Sequence, residues 1–209
     1  MRGRLITLEG GEGAGKSTVL EALRLHIESL GIALRTTREP GGTALGEAIR
    51  SIVLDRGFGE VCAESELLLM FAARAQLVRE LIQPALARGE WVLADRFTDA
   101  SFAYQGAGRG QPVERIETLE RWAAGGLRPD LTLLLDLPVA VGLARAGERG
   151  NPDRIEHEQA DFFDRVRVAY RSRAEADPRR FRVIDASRDV ATVKADACAA
   201  VDRFIRDGR

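Results

Sequence analysis

The sequence predicts an α/β fold: a five-stranded parallel sheet with helices on both faces, a three-layer α/β/α arrangement forming one domain over 1–209. Three observations carry that expectation. Five short apolar runs, LITLE (5–9), ALRTT (33–37), WVLAD (91–95), LTLLLD (131–136) and FRVID (181–185), alternate with longer segments of helical periodicity. Strands separated by helices imply parallel pairing with both sheet faces covered and ligands at the carboxyl ends of the strands. The first run leads into the glycine-rich stretch GGEGAGKSTV at 10–19, the strand–loop–helix order of a phosphate cradle. At 209 residues and 45% hydrophobic content, the chain can bury one substantial core, which favours one domain with inserted loops over two.

Taken in order, the loop fits the spacing Gly, four residues, Gly, Lys, Ser/Thr through Gly10, Gly15, Lys16 and Ser17, with Gly11, Glu12, Gly13 and Ala14 between them and Thr18 after. Glycines let successive backbone N–H groups turn toward one centre, and the helix beginning near Lys16 adds its positive end. Lys16 is placed to reach the outer phosphates of a nucleoside triphosphate and Ser17 a magnesium ion. Lysine is otherwise confined to Lys194, so the match is not a by-product of lysine richness. The helix KSTVLEALRLHIESL is expected to stop at Gly31. In TREPGGT (37–43), Arg38 follows the second strand, Pro40, Gly41 and Gly42 force a turn, and Thr43 is a helix cap. The longest helical candidate is 64–88, with Pro84 as a kink or stop. In ADRFTDASFAYQG (94–106), Asp95 and Arg96 fall at the end of the third strand. Two arginines from adjacent strand ends, Arg38 and Arg96, can clamp a phosphate bidentately, as a planar guanidinium does better than lysine. ARAGERGNPDR (144–154) is too polar and too rich in Gly and Pro to be core.

Composition excludes several classes. A net charge of -1 argues against nonspecific nucleic-acid binding as the main function. Cys62 and Cys198 match no metal spacing and suit a reducing compartment, and His26 and His157 form no ligand pair. The amino terminus passes straight into a strand, so no signal peptide is expected, and LTLLLDLPVAVGLA is interrupted by Asp136 and Pro138, so no membrane span is expected. Cytoplasmic location is the resulting expectation. A GTPase would need an Asp-x-x-Gly switch and an Asn-Lys-x-Asp guanine reader; the chain has no Asp-x-x-Gly, and its one asparagine, Asn151, precedes proline. A small kinase with a second, acceptor site fits best. A kinase for another acceptor and a nucleotide-binding regulator that transfers no phosphate are the rivals.

LEGGEGAGKS, TREPGGT, MFAARAQL, ADR with the following AYQGAGRG, and RGNPDRIE occur in the order and spacing of the bacterial thymidylate kinases, and the resemblance runs from about Arg4 to Ile184. TREPGGT after a phosphate loop is its specific part. The resemblance implies dTMP as acceptor, ATP as donor with Mg2+, dTDP as product and a homodimer. It implies an acceptor-binding segment at about 37–110 and a lid at about 144–156. By position, Arg38, Pro40 and Arg96 resemble the residues around the acceptor phosphate, and Asp95 the carboxylate beside the metal and the sugar. Glu9 stands where the family has an acid near the transferred phosphoryl group, acting through magnesium or the sugar hydroxyl. Phe71 and Arg74, at i and i+3 on one helix, resemble a pair that stacks on thymine and bonds its carbonyl edge. Tyr104 and Gln105 fall near sugar and base, where a tyrosine disfavours a ribose 2′-hydroxyl. Arg145 resembles an arginine lying against adenine. The loop's variable positions carry no basic residue, so the resemblance assigns the catalytic arginine to the lid, Arg149 first and Arg154 second. One departure stands out: Ala100 cannot donate to the base, which leaves Ser101 or Gln105 for that contact. The acceptor phosphate is mostly dianionic at neutral pH and needs no general base, so Lys16, the metal and lid arginines would act by positioning and charge neutralisation.

Overall fold

A computed structural model of the chain describes residues 2–148, 150 and 153–208. Its five strands are β1 (Leu5–Gly10), β2 (Leu34–Arg38), β3 (Trp91–Asp95), β4 (Leu131–Asp136) and β5 (Phe181–Asp185). They form one parallel sheet in the order β2-β3-β1-β4-β5. The expected fold class and all five expected strands are therefore present. β1 is central and buried throughout, whereas the edge strand β2 has only half-buried and exposed positions. A strand hydrogen-bonded on both sides and covered on both faces can be apolar without interruption; an edge strand needs polar residues.

Helices α1 (Lys16–Ser29) and α9 (Val190–Arg206) cover one face, where Leu23, Ile27, Val201 and Phe204 pack on Ile6, Leu8 and Leu133. On the other face lie α3 (Ala63–Leu77), α4 (Gln83–Ala87), α6 (Val113–Ala124) and α8 (Ala160–Ala176). Leu77 and Ile82 meet Leu5, Val92 and Phe97 there, and Phe162 and Tyr170 meet Leu134 and Phe181. Shortening any of these fully buried leucines to alanine is expected to cost about 2–5 kcal/mol.

The segment expected as one helix over 64–88 does not stop at Pro84. A π-helical turn, Val78–Ile82, joins α3 to α4, and Pro84 sits in the first turn of α4. The wider turn breaks the i−4 pattern in which a proline ring would meet the carbonyl four residues back. A second π-helical stretch, Phe102–Gly108, follows the short helix α5 (Thr98–Ser101). It carries Tyr104 and Gln105 and runs on past Gly106. Thr43 caps α2 (Ala44–Leu54) as expected, its hydroxyl accepting from the Gly46 N–H at 3.0 Å. α7 (Val139–Gly147) packs against the phosphate loop. Gly13 has φ 68°, and a Cβ there would lie 1.9 Å from the Gly142 carbonyl oxygen. Only glycine allows this approach.

Candidate active site

Two adjoining cavities open at the carboxyl ends of the strands. The larger, about 530 Å³, is lined by residues 12–18 of the phosphate loop and by Arg38, Arg50, Asp95, Arg96 and Arg145. The smaller, about 100 Å³, is lined by Pro40, Leu54, Met70, Ala100, Tyr104, Gln105 and Ile155. Glu12, Glu39, Arg50, Arg96 and Asp153 line both, so the two cavities share a charged wall.

In the first cavity Lys16 donates to the carbonyls of Gly10 and Gly11 at 3.1 and 2.9 Å, which folds its ammonium over the loop. Burial, and then the charge of Arg96, push that ammonium below its ordinary range. Arg145, on α7, lines this cavity and donates to the carbonyls of Ala186 and Ser187.

Arg96 governs the shared wall. Its φ of 71° is the one positive value found outside glycine among the described residues. A side chain in that region costs of order 1–3 kcal/mol and persists only where its surroundings fix it. The surroundings do so from several sides. The Arg96 N–H donates to the Leu8 carbonyl at 3.0 Å, and the Phe97 N–H donates to Glu9 Oε1 at 2.7 Å. Its guanidinium donates to Glu12 at 2.7 Å and to the Tyr170 hydroxyl at 3.4 Å, and lies 4.6 Å from the centre of the Tyr104 ring. The Tyr104 hydroxyl also donates to Glu12, at 2.9 Å. Arg38 pairs with Glu47 at 2.8 Å, and Arg50 donates to the Pro40 carbonyl at 3.0 Å.

Several sequence-based placements change. Glu9 was expected near the transferred phosphoryl group or the metal. It is fully buried, one carboxylate oxygen taken by the Phe97 N–H and the other by the Tyr170 hydroxyl at 2.8 Å, and it lines neither cavity. Phe71 does not line the smaller cavity; it packs with Leu67, Phe102 and Ile116, and Met70 one position earlier faces the cavity instead. Arg74 is fully buried behind that wall, donating to Glu39 at 2.8 Å, Ser101 at 3.0 Å and the Phe97 carbonyl at 3.1 Å. A guanidinium inside an apolar helix face needs such partners. Ser101 is thereby occupied, and of the two candidates to replace Ala100 only Gln105 reaches the cavity. Arg154 donates to the Val53 carbonyl at 2.9 Å and to Glu66 at 2.5 Å and lines neither cavity. Arg149, the other lid arginine, lies outside the described residues.

Sequence reasoning missed Arg50, Met70, Glu39 and Tyr170, and it placed Glu12 with the triphosphate rather than at the junction. The available signal for Arg50 was a cation between the buried positions Ile49 and Val53 of an otherwise apolar helix face.

A sequence profile of thymidylate kinases matches residues 8–197. The chain belongs to the thymidylate kinase family. It is 51% identical to the thymidylate kinase of Methylobacillus flagellatus over 98% of this chain and 99% of the relative. It is 54% identical to that of Methylococcus capsulatus over 97% of both. The crystal structure of thymidylate kinase from Ehrlichia chaffeensis superposes with a TM-score of 0.78 at 29% identity, covering 97% of this chain and 99% of that one.

Thymidylate kinases work on two phosphorylated nucleotides, and magnesium is the metal such a pair calls for. The donor set suits it in part. Asp95 and Ser17 line the larger cavity, and Asp95 Oδ1 is buried without a hydrogen-bond partner among the described residues. No group of three His, Cys, Asp or Glu able to hold a metal is found among the described residues. Magnesium bound beside nucleotide phosphates is held by one or two protein oxygens and otherwise by phosphates and water. Glu9 does not fit, since both its oxygens are engaged.

Proposed function

We propose the following division of labour for the reaction of this family, phosphorylation of dTMP to dTDP with ATP as donor. The carrying observation is the shared wall: Arg50 and Arg96 line both cavities, between a triphosphate loop and a small, partly apolar pocket. A phosphate at that wall lies on the path between the two. The ATP triphosphate lies in the loop from Gly10 to Thr18, its outer phosphates met by backbone N–H groups and Lys16, with adenine toward Arg145. The thymine ring enters the smaller cavity beside Met70, Tyr104 and Gln105. Glu12 and Tyr104, bonded to each other, take the sugar edge. Tyr104 then fills the space of a ribose 2′-hydroxyl. Arg96, Arg50 and Arg38 receive the acceptor phosphate, with Pro40 fixing the turn.

An oxygen of the acceptor phosphate attacks the γ-phosphorus, the bond to the β-phosphate oxygen breaks, and ADP leaves. The acceptor dianion needs no base, so these residues act by alignment and charge neutralisation. Ser17 and Asp95 would hold Mg2+, which when bound would supply neutralisation of the phosphate charge. Arg149 is the arginine we assign to the charge that spreads over the moving phosphoryl group, since Arg154 is occupied elsewhere. The acceptor segment is 37–110 and the lid 144–156, within one domain.

A homodimer belongs to the same reading. Leu45 and Ile52 on α2, Leu68 on α3 and Trp122 on α6 are 51%, 41%, 56% and 81% exposed, and Leu68 and Trp122 border a further cavity of about 510 Å³. Exposed apolar groups on neighbouring helices suit a self-complementary contact. Light scattering giving a monomer mass would remove it. Cytoplasmic location fits the two free cysteines, Cys62 and Cys198, and the ATP donor. Among the described residues, no helix is long and apolar enough to cross a membrane.

The deciding experiment measures ADP release with ATP and Mg2+ across the monophosphates of thymidine, deoxyuridine, deoxycytidine, guanosine and adenosine. Preference for dTMP supports the base pocket. Turnover with another acceptor moves the base site, and acceptor-independent behaviour sinks the kinase reading.

A further inference from the structure

The smaller cavity contains an amide whose orientation is not free. Gln105 is 1% exposed and lines that cavity, yet its Nε2 is turned away and donates to Glu66 Oε1 at 2.9 Å. Its Oε1 is buried and has no hydrogen-bond partner among the described residues. Glu66, on α3, is 1% exposed and does not line the cavity. Two guanidiniums hold it: Arg154 donates to Oε2 at 2.5 Å, and Arg109 approaches both oxygens, at 3.4 and 3.3 Å. A carboxylate between two cations stays ionised and can only accept. Consistent with this, its carboxyl lies below its ordinary range: burial alone would raise it, and the bonds from Gln105 and Arg154 with the nearby arginines outweigh burial. The Gln105 NH₂ must therefore face Glu66, which leaves a bare carbonyl oxygen for whatever occupies the cavity.

We infer that Glu66 is a positioning residue for base selection: by locking the Gln105 amide it presents a hydrogen-bond acceptor to the pyrimidine, favouring a ring whose N3 carries a hydrogen. This rests on the reading that the smaller cavity holds the base. Thymine and uracil carry N3–H and satisfy the orphaned oxygen. Cytosine has a lone pair at N3 and would face it acceptor to acceptor, leaving two buried polar atoms unpaired. Sites that hydrogen-bond a donor reject the analogue lacking it far more strongly than apolar pockets reject a missing methyl. Phe71 packs with Leu67, Phe102 and Ile116 and does not line this cavity.

The test compares dissociation constants of dTMP and deoxycytidine monophosphate for the wild-type protein and Glu66→Gln. In the variant the carbonyl of the introduced amide is claimed by Arg109 and Arg154, its NH₂ turns toward Gln105, and the Gln105 amide flips to offer a donor to the ring. The preference for dTMP over deoxycytidine monophosphate is expected to fall about tenfold or more. A purely structural role for Glu66 would weaken both nucleotides together and keep their ratio, which overturns the inference while the base-site reading stands. A wild-type protein without preference for dTMP overturns the base-site reading and the inference with it. Should Glu66→Gln not fold, side-chain amide hydrogen exchange of Gln105 in the wild-type protein decides. One amide hydrogen held by Glu66 exchanges slowly with and without dTMP; rapid exchange of both in the nucleotide-free protein overturns the inference.

Discussion

The two halves of the proposed site, one for the triphosphate and one for the base, are built by different means. In the first, a glycine loop and a helix start place backbone N–H groups, and the loop's lysine, Lys16, rests on carbonyls of its own loop. In the second, the lining side chains are held from behind by buried ions: Arg74 with Glu39, and Glu66 with Gln105 and Arg154. The loop's groups can be altered without disturbing the core. The base half cannot be edited so freely, because an ion taken from a buried pair strands its partner.

The largest expected effect tests the loop's independence. Lys16→Ala removes a charge aimed at the outer phosphates and is expected to lower kcat by about 10²–10³-fold. Lys16 is half-buried and bonds only carbonyls nearby in sequence, so the melting temperature should stay close to the wild-type value. A variant that melts far lower would show that the loop, too, depends on its cation for shape.

Arg74→Ala probes the opposite half. It leaves Glu39 buried without its cation and withdraws donors from Ser101 and the Phe97 carbonyl, and urea unfolding should show a loss of about 3–5 kcal/mol. Glu39 already lies above the ordinary carboxylate range because of burial, with Arg74 opposing. Without Arg74 it would take up a proton, so the loss should be smaller at pH 5 than at pH 8. Intact stability with a raised KM for dTMP would restore Arg74 to direct contact with the base.

These two halves also differ in how far the sequence exposes them. The loop is legible because its chemistry is local: Gly10 to Ser17 are contiguous, and strand, turn and helix follow from composition. The five strands were legible for the same reason, each being a compact apolar run. The base half was legible only as a resemblance, and it was misplaced in detail. Arg74 meets a partner 35 positions away, Gln105 one 39 away and Arg154 one 88 away, and no spacing rule links such pairs. Which of Met70 and Phe71 faces the cavity depends on a rotation of about 100° between consecutive helix positions. A segment apolar all round, such as LLLMFAA, carries no periodic signal to fix that rotation.

That rotation is itself testable. Met70→Ala should raise the KM for dTMP by about tenfold, since Met70 lines the smaller cavity, proposed to hold the base, and is 6% exposed. Phe71→Leu should leave the KM within about twofold and lower stability instead, through its packing with Leu67, Phe102 and Ile116. The reverse pattern would put the Phe71 ring on the base.

The smallest expected effect lies where the halves join. Burial, and then the charge of Asp99, push the Glu9 carboxyl up to about 8; Arg96, the Tyr170 hydroxyl and the Phe97 N–H pull the other way without prevailing. The ordinary value in an unfolded chain is 4.5. Between these two the folded protein keeps a proton that the unfolded chain has released, so its stability is fullest below the lower value and declines as pH rises toward 8. Glu9→Gln retains a carbonyl oxygen for the Phe97 N–H and cannot ionise. Its urea midpoint should therefore change less between pH 5.5 and pH 8.5 than the wild-type midpoint does. Parallel curves for the two proteins would mean that Glu9 is ionised throughout, and that the strained Arg96 backbone is held against a carboxylate charge rather than a neutral acid.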